Sequence, residues 1–478
     1  MKLTFYGAAK QVTGSNFLLE TDSPSATAKA GQASLGSTRI LVDCGLHQGG
    51  NFCEKHNFDP FPYDPKEISA VLITHPHVDH VGRLPKLYKD GFRGKVYSTI
   101  PAKDFANLLL LDSEHILMQD AEKFKKPYLY GVREIEELMT HWEGVEYHTP
   151  IKIGPPAGGF TATFYNAGHI LGSSFILVEG PSTGSGRPVR VVFSGDLGNS
   201  PAPIIGAREE LPAGIDYAVM ESTYGNRIHE PASKRRDAVE DAIEDVVKSG
   251  GVLMIPAFAM ERTQQLLYEI NELAENGRIP KVPIFLDSPL AIKLTEVYNR
   301  HEKYWDKESM KQIKMGDKLF NFPGLKTTLT TEESKAINEV RPPKVIIAGA
   351  GMSNAGRILH HEKRYLSDPN STLLIVGYQS QGSLGRQILD GKKSGNPFRV
   401  KIHREEISVK ASVKAVSAYS AHADQPQLLS WLQSARLSLR RVFLVHGEPD
   451  QMDPLAQKIK DELAVAAEAP EEGASYGL

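Results

Sequence analysis

The sequence predicts an α/β protein of two domains, and two changes of pattern along the chain indicate it. Short segments rich in β-branched and aromatic residues dominate from residue 1 to about residue 205, and this strand-rich pattern returns after about residue 390. Between them, apolar strands alternate with amphipathic helices, as at residues 252–255 and 263–275. Such alternation is typical of a parallel sheet covered by helices on both faces.

Length and composition are those of an ordinary globular protein. The chain has 478 residues, of which 41% are hydrophobic and 24% charged, so two domains of common size are expected. The formal net charge is −3, from 55 basic and 58 acidic side chains. No overall positive field attracts nucleic acid, and any such binding must rely on a local groove.

Cysteine content and hydropathy predict the compartment. Cys44 and Cys53 are the only cysteines, so no disulfide framework supports the fold, and a reducing environment is expected. The N-terminus lacks the continuous apolar stretch of a signal peptide, and no apolar run approaches the roughly 20 residues of a membrane span. We therefore expect a cytoplasmic protein that makes no use of a membrane.

A cluster of metal-ligand side chains follows the apolar run 71–73. His75, His77, Asp79 and His80 lie within the stretch T-H-P-H-V-D-H, with Gly82 and Pro85 just after it. This composition favours an irregular turn between a strand and a helix, on which the side chains point in two directions. Imidazole nitrogens with a carboxylate and no thiolate suit Zn²⁺, and less exclusively Mn²⁺ or Fe. The cluster thus predicts half of a site for two metal ions.

Three further ligand candidates stand near the ends of predicted strands. His169 lies in N-A-G-H-I-L-G, Asp196 in V-V-F-S-G-D-L-G and His446 in V-F-L-V-H-G-E. Each residue alone is more often an ordinary turn residue, but together with the first cluster they complete a two-metal ligand set. Asp43, in I-L-V-D-C-G, is expected to accept hydrogen bonds from ligand histidines or from the loop backbone.

Several motifs in chain order resemble one family. They are H-P-H-V-D-H, M-E-S-T-Y-G, P-A-F-A-M-E-R-T-Q, D-S-P-L-A, G-A-G-M-S-N-A-G-R, G-Y-Q-S-Q-G-S-L-G-R, S-A-Y-S-A-H-A-D and H-G-E. With His169, Asp196 and His446, the chain resembles the metallo-β-lactamase superfamily and, within it, the β-CASP nucleases related to the cleavage-and-polyadenylation endonuclease, of the bacterial and archaeal single-chain type. Pro76 stands where Ala or Thr is frequent.

The resemblance implies an insertion topology. An αββα sandwich, the metallo-β-lactamase domain, would be built from residues 1–205 and 391–465. The β-CASP domain, residues 206–390, would be inserted between them and close over the metal site. Residues 466–478, rich in Glu, Ala and Gly, are predicted to form a disordered tail.

The resemblance also implies the roles of the site residues. One Zn²⁺ would be held by His75, His77 and His169, the other by Asp79, His80 and His446, with Asp196 bridging both and Mn²⁺ as a substitute metal. The catalytic residues would be Asp79, His422 as general acid, and Glu221, which would orient His422.

The two Gly-rich motifs and the Ser before His422 are expected to bind the phosphate chain. Backbone N–H groups of Gly-rich turns that open helices attract anions. The side chains expected to contribute are Ser353, Asn354, Arg357, Ser380, Ser383, Arg386 and Ser420.

The expected function is a zinc-dependent ribonuclease that hydrolyses phosphodiester bonds of single-stranded RNA, endonucleolytically, 5′→3′ exonucleolytically or both. A DNA nuclease of the same superfamily is the main alternative. His446 favours RNA, because DNA-repair members of the family usually have Val at this position. A small-molecule metallohydrolase and an inactive scaffold subunit are further alternatives. The expected partners are single-stranded RNA and, as an open expectation, a second copy of the chain.

Overall fold

The computed structural model describes residues 1–21, 37–48, 55–156, 158–181, 186–200, 202–231, 233–416 and 419–478. These residues form two units. The first contains Met1–Ile228 and His422–Leu478, and the second contains His229–Ala421. Cys44 is buried with a free thiol, whereas Cys53 lies outside the described residues.

The first unit contains two mixed sheets of seven strands. The first sheet has the order β22-β1-β2-β3-β4-β5-β6. Its strands are β1 Lys2–Phe5, β2 Phe17–Glu20, β3 Arg39–Val42, β4 Ala70–Leu72, β5 Lys95–Thr99, β6 Trp142–Val145 and β22 Ser475–Gly477. The second sheet has the order β21-β20-β11-β10-β9-β8-β7. Its strands are β7 Ile151–Ile153, β8 Phe160–Asn166, β9 Ser174–Gly180, β10 Val189–Phe193, β11 Tyr217–Glu221, β20 Arg441–Val445 and β21 Ala466–Glu468.

Helices cover the outer faces of both sheets. They are α1 Val78–Val81, α2 Leu84–Lys89, α3 Ile100–Phe124, α4 Val132–His141, α12 Gln425–Gln433 and α13 Pro449–Lys458. Strands alternate their side chains between two faces, so each sheet carries one apolar face inward and one under helices. Phe5 and Phe193 belong to the core between the sheets, Val71 packs with α2 and α4, and Met220 packs with α12 and α13. The result is an αββα sandwich, as predicted.

The second unit is a parallel sheet with helices. Its strand order is β14-β13-β15-β12-β16-β19, and every neighbouring pair in it is parallel. The strands are β12 Val252–Pro256, β13 Ile284–Asp287, β14 Leu325–Thr327, β15 Lys344–Ala348, β16 Thr372–Ile375 and β19 Ser412–Ala415, with a separate hairpin of β17 Arg399–Ile402 and β18 Glu405–Ser408. The helices are α5 Ser233–Ser249, α6 Arg262–Glu275, α7 Pro289–Arg300, α8 Lys307–Lys314, α9 Thr331–Ala336, α10 Ile358–Tyr365 and α11 Leu384–Lys393.

The boundaries of the units differ from the predicted residues 206 and 390. The first unit extends to Ile228 because β11 pairs with β10 and β20 inside the sandwich. The second unit extends to Ala421 because β19 pairs with β16, so residues 412–415 belong to the inserted sheet and not to the returning sandwich. Both differences come from strand pairing, which the local sequence pattern does not encode.

The predicted disordered tail is ordered in the structure. β21 pairs with β20 in parallel, and β22 pairs antiparallel with β1 at the edge of the first sheet. The ring of Tyr476 lies 4.7 Å from that of Phe443 and 5.8 Å from that of Phe5, measured between centroids. Composition suggested disorder, but the segment is stabilised by backbone pairing and by these aromatic contacts.

Candidate metal centre

The candidate ligands lie where the chain leaves strands of the two sheets. His75, His169 and Asp196 each come three residues after the last residue of β4, β8 and β10, and His446 directly follows β20. Sharp left-handed turns direct the chain there: φ is +66° at Gly168, +52° at Gly195 and +50° at His446. Positive φ is easy for Gly but uncommon for other residues. His446 therefore holds a less favourable backbone conformation at the site.

His77, Asp79 and His80 lie on and beside the short helix α1. His77 is its N-cap, and the helix is held against the segment after β3 by backbone hydrogen bonds. Cys44 N–H donates to the His80 carbonyl at 2.8 Å. A Cβ at Gly45 would lie 1.6 Å from the carbonyl oxygen of Asp79, so no side chain fits at that position. The close contact between the backbone at Gly45 and that at Asp79 therefore fixes the position of α1 and of the candidate ligands on it.

The first group of ligand atoms comes from His75, His77, His169 and Asp196, and these atoms all lie within 4.8 Å of one another. His75 Nε2 is 3.3 Å and His169 Nε2 is 3.6 Å from Asp196 Oδ2. His77 Nδ1 is 3.0 Å from His75 Nε2. Three imidazoles and one carboxylate oxygen thus face a common point.

The second group comes from Asp79, His80 and His446. His446 Nε2 is 3.2 Å from Asp79 Oδ2, and His80 Nε2 is 3.3 Å from Asp196 Oδ1. Asp196 therefore turns one carboxylate oxygen toward each group. The structure brings together all seven candidate ligands in these two groups, and their binding of metal stays a prediction.

Two buried atoms indicate that these groups fit a metal ion. Within the described part of the chain, neither His80 Nε2 nor Asp196 Oδ1 has a hydrogen-bond partner, although both residues are only 2% exposed. A buried polar atom without a partner is costly, and a cation between the two groups would satisfy both. Nitrogen and carboxylate ligands without thiolate suit Zn²⁺ and Mn²⁺.

Asp43 is not a candidate ligand itself but holds Thr74 and His80 in place by hydrogen bonds. Its φ is +60°, and its carboxylate accepts hydrogen bonds from His80 Nδ1 at 2.8 Å, from the Thr74 hydroxyl at 2.8 Å and from Thr74 N–H at 2.8 Å. The bond to Nδ1 leaves Nε2 of His80 as the atom that faces the metal centre.

Burial and neighbouring carboxylates set the pKa values of the histidines. Burial lowers the pKa of His75 to about 4 and that of His77 to about 3, so both imidazoles are neutral at neutral pH, the form that binds metals. Burial also disfavours protonated His80, but the carboxylates of Asp196, Asp43 and Asp79 outweigh it and raise its pKa. A bound cation would oppose protonation of His80 directly.

His422 and Glu221 form a hydrogen-bonded pair beside the ligands. Glu221 is fully buried, and its carboxylate accepts from His422 Nδ1 at 3.1 Å and from Leu197 N–H at 2.5 Å. The His422 ring lies 4.7 Å from that of His169, between centroids. Burial lowers the pKa of His422, but Glu221 and Asp196 reverse this and raise it to about 9. The pair can hold a proton next to the metal centre.

The predicted phosphate-binding residues lie in the second unit, and several of their side chains are engaged in the fold. Ser353 is fully buried, and its hydroxyl lies 2.5 Å from the carboxyl group of Glu362. Arg357 donates to Asp287 at 2.7 Å and to the Thr328 carbonyl at 3.0 Å. These hydrogen bonds hold the two side chains within the unit, and their assignment as phosphate ligands stays a prediction.

The remaining predicted phosphate ligands differ in how they are placed. Ser383 is the N-cap of α11 and accepts from Arg386 N–H at 3.2 Å. Asn354 is exposed, and its side-chain oxygen accepts from Leu384 N–H at 3.1 Å. Arg386 pairs with Asp390 on the surface at 2.8 Å. Ser380 and Ser420 are half-buried.

Sequence reasoning missed the hydroxyl groups that support the ligands. Thr74 contacts His75 Nδ1 at 3.1 Å as well as Asp43, and Thr223 contacts His446 Nδ1 at 3.1 Å. The Ser173 hydroxyl accepts from His169 N–H at 3.0 Å. Each of these hydroxyl-bearing residues lies within four positions of a predicted site residue in the sequence. This proximity is the sequence signal that could have identified them.

The fold and the site define the class of protein: a metal-dependent hydrolase of the metallo-β-lactamase superfamily. Three family models match the chain. They are the metallo-beta-lactamase superfamily domain at residues 33–184, the Beta-Casp domain at 263–388, and the Zn-dependent metallo-hydrolase RNA specificity domain at 406–470.

Comparison with characterised proteins identifies the family. The chain is 38% identical over 452 residues to Ribonuclease TTHA0252 of Thermus thermophilus, covering 95% of this chain and 94% of that protein. It is 30% identical to the transcription termination factor FttA of Methanosarcina mazei and 29% identical to that of Pyrococcus horikoshii, in both cases over 98% of this chain and 70% of the relative. The chain belongs to the β-CASP ribonuclease family and is a metal-dependent ribonuclease. Among the described residues, no helix has the length and apolar character needed to cross a bilayer.

Proposed function

We propose that the centre binds two Zn²⁺ ions, with Mn²⁺ as a possible substitute, and cleaves single-stranded RNA. The observation that supports this most is the position of Asp196, whose two oxygens face different ligand groups. One ion would be held by His75, His77 and His169, and the other by Asp79, His80 and His446. When bound, such a pair of ions supplies positive charge that activates water and neutralises the phosphate in the transition state.

In this proposal His422 donates a proton to the leaving oxygen of the RNA. A general acid must have one ring nitrogen held by a partner and the other directed to the substrate. Glu221 accepts a hydrogen bond from Nδ1 of His422, and the proposal assigns the contact with the substrate to the other ring nitrogen, Nε2. Because Glu221 is also anchored by Leu197 N–H, it fixes the direction of the imidazole. Glu221 is thus a positioning residue for the acid.

RNA binding by the second unit is part of the proposal. Asn354, Ser380, Arg386 and Ser420 stay candidates for phosphate contacts, with the backbone N–H groups of the turns that precede α10 and α11. A homodimer and a cytoplasmic location stay predictions, and sedimentation of the purified protein would test the first of them.

The experiment that tests the proposal compares His77→Ala with His115→Ala. His115 is an exposed histidine of α3, so the control removes the same side chain far from any ligand group in sequence. Wild-type protein and His115→Ala should each contain two zinc ions per chain by elemental analysis and should cut a single-stranded RNA. His77→Ala should lose at least one ion and all measurable cleavage. A fully active His77→Ala protein would contradict the metal assignment.

A second experiment separates RNA from DNA and the two cleavage modes. Matched RNA and DNA oligonucleotides, labelled at the 5′ or the 3′ end and with or without a 5′ phosphate, should show cleavage of RNA in preference to DNA. Internal fragments from either label would indicate endonucleolytic action, whereas release of mononucleotides from the 5′ end would indicate exonucleolytic action. Preferential cleavage of DNA would contradict the proposed substrate.

A further inference from the structure

An aromatic side chain is exposed at the carboxyl edge of the parallel sheet in the second unit. Phe258 lies two residues after β12, and 39% of its surface is exposed. Single exposed apolar residues are common and need no explanation by themselves. Phe258 differs from these in how its ring is held.

Two glycines support the ring from below. β12 lies between β15 and β16 in the sheet, and Gly351 and Gly377 follow those two neighbouring strands. A Cβ at Gly351 would lie 2.7 Å from the Phe258 ring, and one at Gly377 would lie 3.2 Å from it. The ring therefore rests against backbone on one side, where any larger residue would displace it. This contact restricts the motion of a side chain that is otherwise open to solvent.

Hydrogen bonds join the two glycine turns into one surface. The side-chain amide of Gln379, which is 4% exposed, donates to the Gly351 carbonyl at 2.9 Å and to the Gly377 carbonyl at 3.1 Å. The backbone carbonyl of Phe258 accepts from the Thr263 hydroxyl at 2.8 Å. The two glycine turns and the backbone at Phe258 are thus both held in place by hydrogen bonds in the absence of a ligand.

We propose that the exposed face of Phe258 is a stacking platform for one nucleobase of the RNA substrate. This inference rests on the proposed RNA cleavage and adds a binding position to it. A flat aromatic ring held in place and open on one face suits any base, because every base has a π-face. Stacking also requires no positive charge, which fits a chain whose net charge is −3. A second exposed aromatic residue, Tyr378, directly follows Gly377 in the sequence and is 57% exposed.

The test measures binding of RNA oligonucleotides that carry one abasic nucleotide at successive positions. Binding is measured with the metal-loaded protein and with RNAs whose phosphodiesters are replaced by phosphorothioates, which resist hydrolysis, so that the RNA stays intact. For the wild-type protein, affinity should fall about 5- to 100-fold at one position of the abasic site, the range expected for loss of one stacked base. Phe258→Ala should bind intact RNA more weakly by the same factor and should be insensitive to the abasic site at that position. Phe258→Trp should restore both the affinity and the sensitivity.

Tyr128→Ala is the matched control, since Tyr128 is 53% exposed and lies in the first unit. It should bind like the wild-type protein. Thermal unfolding of each variant shows whether it is folded. The platform is overturned if folded Phe258→Ala binds intact RNA as tightly as wild type, or if it stays sensitive to the abasic nucleotide at the position where the wild-type protein is sensitive. Cleavage of intact RNA by the wild-type protein tests the proposed function separately. Absence of cleavage would contradict the proposed function, whereas the abasic-site comparison tests only the platform.

Discussion

At the scale of single residues, Asp43 illustrates how a side chain organises a metal centre from outside it. Its carboxylate accepts three hydrogen bonds, two from Thr74 and one from His80. An amide at this position could accept some of these bonds but would turn an N–H₂ group toward the other donors. The supporting carboxylate therefore acts through the tautomer and direction of His80.

We expect Asp43→Asn to weaken metal binding about 10- to 100-fold, the usual effect of losing such a supporting carboxylate. Asn tolerates the positive φ of this position as Asp does, so the backbone is unchanged and the side-chain effect is isolated. Competition with a chelator of known affinity measures the change. Asp59→Asn, at an exposed position, is the control. Unaltered metal affinity in Asp43→Asn would refute the role.

We expect His422→Ala to lower kcat about 10²- to 10⁴-fold, the range for loss of a general acid, and to leave the Kd for RNA within a few-fold of wild type. Glu221→Gln should lower kcat less, because the imidazole stays present but loses its anionic partner. Single-turnover cleavage and filter binding give the two quantities. His148→Ala, an exposed histidine in the first unit, is the control for the substitution itself. If folded His422→Ala bound RNA like the wild-type protein and kept the wild-type cleavage rate at saturating RNA, the acid role would be wrong.

At this scale the sequence identified seven candidate ligands because four of them lie close together and the other three follow predicted strands within three residues. It could not predict Thr223 as a partner of His446, since the two residues are 223 positions apart and meet through the pairing of β11 with β20. It assigned Ser353 and Arg357 to phosphate from their Gly-rich context. A Gly-rich turn is equally suited to close packing, and here the packing uses both side chains.

At the scale of elements, the position of α1 depends on one close backbone contact. Gly45 approaches the Asp79 carbonyl so closely that a methyl group cannot be accommodated without moving α1 or the segment after β3. Since α1 carries Asp79 and His80 and begins next to His77, its displacement would alter both ligand groups at once.

We therefore expect Gly45→Ala to reduce the metal content below two ions per chain and to lower cleavage by more than tenfold. Gly131→Ala is the control, because the nearest atom to a Cβ there is a side-chain oxygen of Glu134 at 3.4 Å. Elemental analysis and RNA cleavage are the measurements. Wild-type metal content in Gly45→Ala would show that α1 adjusts without loss.

The C-terminal strand β22 gives a second prediction at this scale. Tyr476 is half-buried against Phe5 and Phe443, so Tyr476→Ala should lower the free energy of unfolding by about 1–2 kcal/mol, less than for a fully buried aromatic residue. Urea denaturation followed by circular dichroism measures it. Tyr378→Ala, at a mostly exposed position, should change stability by under about 0.5 kcal/mol. Equal effects of the two substitutions would argue against a stabilising role for β22.

Sequence patterns predicted those elements that have strong local signals and missed those defined by their partners. β4, β10 and β20 are apolar runs, which are strong local signals for a buried strand. β21 and β22 have few apolar residues and form because β20 and β1 offer free edges. Residues 412–415 fall within the range 391–465 that was expected to belong to the sandwich, whereas the structure places them in the inserted sheet as β19.

At the scale of the whole molecule, all seven candidate metal ligands lie in the first unit. The chain leaves this unit after Ile228 and re-enters it at His422. Around these points the two segments are joined, since Gln425 N–H donates to the Arg227 carbonyl at 3.0 Å and the Gln425 side chain donates to the Gly225 carbonyl at 2.6 Å. The sandwich thus holds the two ends of the insertion next to each other.

We expect a chain in which a short Gly/Ser linker replaces residues 229–421 to fold and to bind two metal ions. It should lose most of its affinity for RNA, because the Phe258 platform and the candidate phosphate contacts are absent. Elemental analysis, circular dichroism and RNA binding test this. The same deletion combined with His77→Ala is the control and should lose metal. A folded deletion variant without metal would show that the second unit is needed to form the centre.

The assembly of the sandwich from two distant segments has a consequence for synthesis of the protein. A ribosome completes residues 1–228 before it makes the insertion, and His422 and His446 follow only afterwards. At 5–20 residues per second, the interval is on the order of 10–40 s. During that time the nascent chain carries most of the candidate ligands but lacks His446, the proposed proton donor His422 and the strand β20 that pairs with β11. We therefore expect the nascent chain to lack ribonuclease activity until His446 and β20 have been synthesised.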